Sequence, residues 1–113
     1  MNITTRSTDG VTVLDLSGKI TIGESSVDLR NKIRELVKSG QKNILLNMGD
    51  VSYMDSSGIG ELVSAYTNVT NQGGQLKLLN LTKKLHELLA ITKLLTVFES
   101  FENEAQALQS FRK

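Results

Sequence analysis

The amino-acid sequence predicts an α/β fold, a mixed sheet of about four to five strands with helices packed against it. Three observations lead there. The chain opens on an extended stretch, an Asp9-Gly10 turn signal and a second extended stretch, the pattern of a β-hairpin. After the hairpin, short apolar runs bounded by glycine alternate with segments of helical period. Strands that alternate with helices are joined by crossovers, so the inner sheet should be largely parallel, in an α/β or α+β layer arrangement.

Taken in order, Met1 to Ser7 alternates weakly and suits an edge strand. Val11 to Ser17 is the second strand. Its apolar phase slips between Val13 and Leu14, which predicts either burial on both faces or a bulge. Gly18 should turn the chain into a short strand, Lys19 to Ile22, which Gly23 ends. Ser25 or Ser26 is then placed to cap a helix reaching about Lys38, with Leu29, Ile33, Leu36 and Val37 on one face. Acidic Glu24 and Asp28 lie near its start and basic Arg34 and Lys38 near its end, as the helix dipole favours, and Ser39-Gly40 stops it.

Asn43 to Met48 is an apolar run without helical period, bounded by Gly40 and Gly49, and reads as the central strand. Ile59, Leu62, Val63, Tyr66 and Val69 predict a helix from about Ser57 to about Asn71. Gly73-Gly74 closes it, and Gln75 to Asn80 is the next strand. Thr82 should cap a helix from Lys83 to about Thr92, with Leu85, Leu88 and Leu89 inward. Leu95 to Phe98 is expected as the last strand, and Glu102 to Phe111 as a final helix with Ala105, Leu108 and Phe111 apolar. No linker, repeat or composition shift divides the chain, so residues 1–113 are expected to form one domain.

Composition narrows the function. The chain is 39% hydrophobic and 22% charged, ordinary values for a globular domain. Its 13 basic and 12 acidic residues leave a net charge of +1, which argues against direct nucleic-acid binding. The chain has no Cys and 1 His, which removes disulfides, thiolate sites and the usual zinc constellations, so no metal or cofactor is expected. Neither an apolar leader nor a run long enough for membrane insertion is visible, and a cytoplasmic protein is the expectation. There is no phosphate-binding loop, dinucleotide fingerprint or nucleophile elbow, so the chain is read as a non-enzyme.

The joint between central strand and following helix, Val51 to Leu62, concentrates the chemistry. Asp55, Ser56 and Ser57 stand where an N-cap belongs, each with an oxygen able to accept from first-turn amides. Gly58 and Gly60 weaken a helix but leave its backbone open to close approach by a partner or phosphate. Glu61 lies at or near capping-box distance, and Tyr53 and Met54 read as core or near-core packing at the strand end rather than ligand contacts.

Met54-Asp55-Ser56-Ser57-Gly58-Ile59-Gly60 resembles the phosphorylation loop of STAS domains, specifically of bacterial anti-sigma factor antagonists. Gly18, the segment Asn47 to Asp50, Gly73-Gly74 and Leu76 to Asn80 extend the resemblance from about Asn2 to about Phe101. The resemblance implies a STAS fold, with Ser56 as phosphate acceptor and Ser57 as the following small hydroxyl residue and cap. Asp55, Ser57, Gly58 and Gly60 would shape the loop and contact the partner. Thr21 stands where antagonists commonly carry an Asp near this loop, and Glu24 follows a turn later.

The implied partners are an anti-sigma factor that is also a serine kinase, and a serine phosphatase. The unphosphorylated chain would bind the kinase and free a sigma factor, and phosphorylation would end that binding. Two alternatives remain open: a STAS subunit bracing an ATPase in a lipid-transport complex, and a phosphorylatable switch outside sigma control. A response-regulator receiver, with Asp55 as acceptor, is disfavoured. It would need further paired acids near the first strand, and Asp15 stands alone in a hairpin.

Overall fold

The computed structural model describes residues 1–112. Asp9 and Gly10 both take positive φ, 51° and 78°, which gives a turn whose twist matches the strands it joins. It connects β1 (Asn2–Thr8) to β2 (Val11–Ile20), antiparallel and in register from Asn2 opposite Ser17 to Thr8 opposite Val11. The chain continues as α1 (Glu24–Lys38), β3 (Asn43–Met54), α2 (Ser56–Asn71), β4 (Gln75–Leu79), α3 (Lys83–Ile91), β5 (Ser100–Phe101) and α4 (Glu104–Ser110). The five-stranded sheet has the order β1-β2-β3-β4-β5, and every pairing after the hairpin is parallel. The expected mixed α/β architecture is therefore present.

Gly18 does not end its strand. It has φ 106° and lies at a register shift within β2, which runs on to Ile20, so Lys19 to Ile22 is not a separate strand. The cause is β3, which continues past Met48 to Met54 and keeps offering ladder partners, Val51 beside Gly18 and Met54 beside Ile20. The phase slip in β2 resolves into both of its readings. Val11, Thr12, Val13 and Leu14 are all buried, and irregularities follow at Asp15 and Gly18.

Both sheet faces are covered, unequally. On one, Leu14, Leu16, Ile44, Leu46 and Leu78 pack against α1, α2 and α3 through residues such as Leu29, Ile33, Leu62 and Leu85. On the other, Val11, Val13, Leu45 and Leu79 pack beneath Ala107 and Phe111 of the α4 segment. Arg6 ties the hairpin to that helix, reaching Asp15 at 2.6 Å and Glu104 at 2.8 Å. Lys77 is buried in the same layer, donating to the carbonyl and hydroxyl of Ser110 at 3.0 Å each and lying 4.9 Å from the Phe111 ring.

The C-terminal region departs from the sequence expectation. Leu95 to Phe98 is a turn, and the strand comes later at Ser100–Phe101, where Leu78 and Asn80 donate to the carbonyls of Glu99 and Phe101. The apolar run serves packing rather than a ladder: Phe98 is buried edge-on to Tyr66, with ring centroids 5.3 Å apart. α4 is shorter than expected, starts after the Asn103 cap, and turns Ala107 rather than Ala105 inward. At α1, neither Ser25 nor Ser26 is the cap. Gly23 holds that position, and both serines lie in the first turn with their hydroxyls donated back to the Thr21 carbonyl.

Candidate functional site

Of the three polar residues at the β3–α2 joint, Asp55 is the N-cap. Its extended backbone (φ −97°, ψ −174°) leaves Oδ1 facing the first turn, where it accepts from the Gly58 amide at 3.0 Å. Oδ2 accepts from the Ile22 amide at 3.0 Å, and the Asp55 amide donates to the Ile20 carbonyl at 3.3 Å. The joint is thus stapled to the loop between β2 and α1. The Ile22 and Gly58 amides hold the Asp55 carboxyl below the usual carboxylate range, because both bonds favour the charged form.

This corrects the expectation for Ser57. It is the second residue of α2 and half-buried, with capping already supplied by Asp55. Ser56 is the first helical residue and is exposed. Glu61 takes no part in capping either. It is buried and accepts from Arg30 at 2.6 Å, which joins α2 to α1.

The two glycines differ in kind. A Cβ at Gly58 would run into the Ile20 carbonyl oxygen and stand 2.5 Å from Met54 Cγ, so this glycine lets α2 press against the end of β2. The close approach seen at this position is an internal one. Around Gly60 nothing lies within 4 Å, and its surface is open.

Thr21 is brought to the joint by its backbone. Its amide donates to Ser25 Oγ at 2.9 Å, its carbonyl accepts from Ser25 and Ser26, and its neighbour Ile22 is held by Asp55. Ile22 itself is 78% exposed.

On the other flank, Tyr53, Asp55, Ser56 and Ile59 face Lys84, Leu88 and Ile91 across an open groove of about 610 Å³. Tyr53 is not core: it is 43% exposed, with the Lys84 ammonium 5.6 Å from its ring centroid. Met54 is buried as expected, and Ile91 is 79% exposed. Sequence reasoning missed Ile22, Tyr53, Lys84 and Ile91 as surface around Ser56. For Ile91, helical spacing from Leu88 points to core rather than groove. For Ile22, the flanking Gly23 was the available hint of a chain leaving the sheet.

Among the described residues, no group of three or more His, Cys, Asp or Glu side chains is placed to hold a metal ion. Among these residues, no helix is long and apolar enough to cross a membrane. What the joint can offer is an exposed hydroxyl on a rigid helix start, rimmed by apolar side chains.

Comparison with known proteins gives the family and the fold. The STAS domain pattern matches residues 2–107. An anti-sigma-B factor antagonist of Bacillus subtilis is 33% identical over 99 residues, covering 88% of this chain and 89% of its own. A candidate anti-sigma factor antagonist from Thermotoga maritima, solved by crystallography, superposes with a TM-score of 0.91 at 21% identity, over 98% of this chain and 95% of its own. The Bacillus cell fate determinant SpoIIAA, solved in its phosphorylated form, superposes with a TM-score of 0.75 at 22% identity, over 98% of this chain and all of its own. The chain belongs to the STAS domain family, in which its Bacillus subtilis relative is named an anti-sigma-B factor antagonist.

Proposed function

We infer that this protein is an anti-sigma factor antagonist switched by phosphorylation of Ser56. The observation that carries the reading is a division of labour at the joint. Asp55 does the capping, so the exposed Ser56 hydroxyl is left free of structural duty. The relatives named as antagonists, and the phosphorylated form in which SpoIIAA was solved, support it.

In the unphosphorylated state, the surface around Ser56 binds an anti-sigma factor that is also a serine kinase, and a sigma factor is released. The exposed Ile22, Tyr53 and Ile91 supply apolar contact, while Gly60 and Thr21 set the local shape. In the transfer step, Ser56 Oγ bonds to the γ-phosphorus of ATP as the bond to the β,γ-bridging oxygen breaks and ADP leaves. The Ile22 and Gly58 amides hold the Asp55 carboxyl below its usual range and so make it a weak base, and the hydroxyl proton passes to a base on the kinase.

Phosphoserine brings a charge of about −1.5 to −2 to the positive end of α2, which the fold tolerates. A partner seated on the joint meets a bulky hydrated dianion instead of a hydroxyl. A loss of about 3–4 kcal/mol there weakens binding on the order of a few hundredfold, enough for a switch. A serine phosphatase restores the binding form.

The test is intact mass of the protein from its own cells, wild type beside Ser56→Ala, with affinity capture from the same lysates. The expected result is a singly phosphorylated fraction in wild type only, and an ATP-dependent kinase captured by the unmodified form. Absence of a phosphorylated form under all growth conditions, with a membrane transport ATPase as partner, would overturn the reading.

A further inference from the structure

We propose that Lys84 is the residue that receives the phosphate once Ser56 is modified, and that it thereby closes the groove beside the joint. This rests on the reading of Ser56 as acceptor and adds how the modified state is held.

Ser56 and Lys84 line the same groove, one from the first turn of α2 and the other from the first turn of α3. Among the described residues that line it, Lys84 is the one basic side chain, and Asp55 and Glu87 are the acids. It enters no ion pair among the described residues. Its ammonium rests over the exposed Tyr53 ring instead. A ring face holds an exposed ammonium weakly, whereas a phosphate dianion offers three strong acceptor oxygens. Placed in one groove with both, the ammonium favours the phosphate, because the charge-assisted bond is the stronger.

Two consequences follow from that exchange. The phosphate gains a cation that offsets the repulsion from Asp55 and Glu87, so it stays dianionic at neutral pH. Tyr53 loses its ammonium cover as the Lys84 side chain crosses the groove, and the apolar floor between α2 and α3 becomes less accessible. Phosphorylation then removes a docking surface as well as adding a charge. The adjacent Lys83 is exposed and does not line the groove, which makes it the natural control.

The experiment uses the full chain with phosphoserine installed at position 56 during translation, so it does not depend on any kinase choosing this residue. The phosphate is titrated by phosphorus NMR in otherwise unchanged protein and in Lys84→Met, Lys84→Arg and Lys83→Met. Phosphoserine ordinarily has a second pKa of about 6. Lys84→Met should raise it by about half a unit, the scale of one exposed ion pair, while Lys84→Arg and Lys83→Met leave it within about 0.2 of the unchanged protein. In parallel, the Lys84 ε-protons should lie upfield in the unmodified chain, where the ammonium sits 5.6 Å from the Tyr53 ring centroid, and return towards their ordinary position when phosphate is present. Equal pKa values in Lys84→Met and Lys83→Met, or ε-protons that do not move, would overturn the proposal. Such a failure is separable from failure of the Ser56 switch, which is judged by the mass of the protein from cells.

Discussion

The Asp55 carboxylate accepts the backbone amide of Ile22 at 3.0 Å, joining two loops that lie 33 positions apart, while its other oxygen caps α2 through Gly58. One side chain therefore sets both the start of the helix that carries Ser56 and the position of the β2–α1 loop beside it. The apolar rim and the hydroxyl are held in a fixed relation before any partner arrives.

Asp55→Ala should lower the thermal midpoint and loosen both segments, and Asp55→Asn should lose less, because Asn is also a good cap. The dependence on pH follows from the sign of the shift. A carboxyl held below its unfolded value stabilises the fold fully above the unfolded pKa of about 3.9 and loses that contribution as pH falls through the folded value. The gap in thermal midpoint between wild type and Asp55→Ala should be complete at neutral pH, persist to about pH 5, and shrink below about pH 4. A gap that stays constant down to pH 2 would sink the assignment.

The two glycines of α2 should respond in opposite directions. Ala at either position gains up to about 1 kcal/mol of helix propensity. At Gly60 nothing opposes that gain, so Gly60→Ala should be mildly stabilising in urea unfolding. At Gly58 the added methyl meets the Ile20 carbonyl, and overpacking of about 1–3 kcal/mol should exceed the gain. A neutral Gly58→Ala would mean that α2 can move away from β2 at little cost.

Lys77 anchors α4. Its ammonium, 3.0 Å from both the Ser110 carbonyl and hydroxyl oxygens, is buried near the rings of Phe101 and Phe111. Lys77→Ala should destabilise by about 2–3 kcal/mol, through lost charged hydrogen bonds and an unfilled volume. Lys77→Met restores the volume without the charge and should recover part of that. Native-state hydrogen exchange should show the loss concentrated in α4, and uniform loss across the sheet would contradict the anchoring role.

Arg30 and Glu61 are unequal partners. Glu61 is 6% exposed, while Arg30 reaches it from a side chain that is 43% exposed. Removing the arginine strands a buried carboxylate, whereas removing the acid lets the arginine turn to water. Arg30→Ala should therefore destabilise more than Glu61→Gln, and the double variant should cost less than the sum of the two. Denaturant midpoints for the four proteins of the cycle check this, and strict additivity would show that the pair does not couple α1 to α2.

Much of the fold was legible because its signals are local. Asp9-Gly10 needs only its own backbone preference to make a turn, and Thr82 was read as a cap that the structure confirms by its bond to the Leu85 amide at 3.2 Å. The central strand and the α2 face followed from period and glycine boundaries, and the Asp-Ser-Ser-Gly joint carried the family resemblance. Expectations failed where the deciding partner was distant in sequence. Leu95 to Phe98 has the composition of a strand, but Tyr66 draws Phe98 inward and the ladder forms later at Ser100–Phe101. Lys19 to Ile22 merged with β2 because β3 extends further than its apolar run suggests.

At the site itself, the sequence alone determined which residue types meet: an acid, two hydroxyls and two glycines between a buried strand and an amphipathic helix. Tertiary structure decided their duties. Three adjacent polar residues could each cap α2, and only the amide of Ile22, arriving from another loop, selects Asp55 and leaves Ser56 exposed. Two glycines look alike in a helix start, and only the Ile20 carbonyl makes one of them obligatory. Local hydrogen bonding and hydrophobic period act over a few residues and can be read along the chain, whereas close approach and competition for a shared donor exist only once the chain has folded.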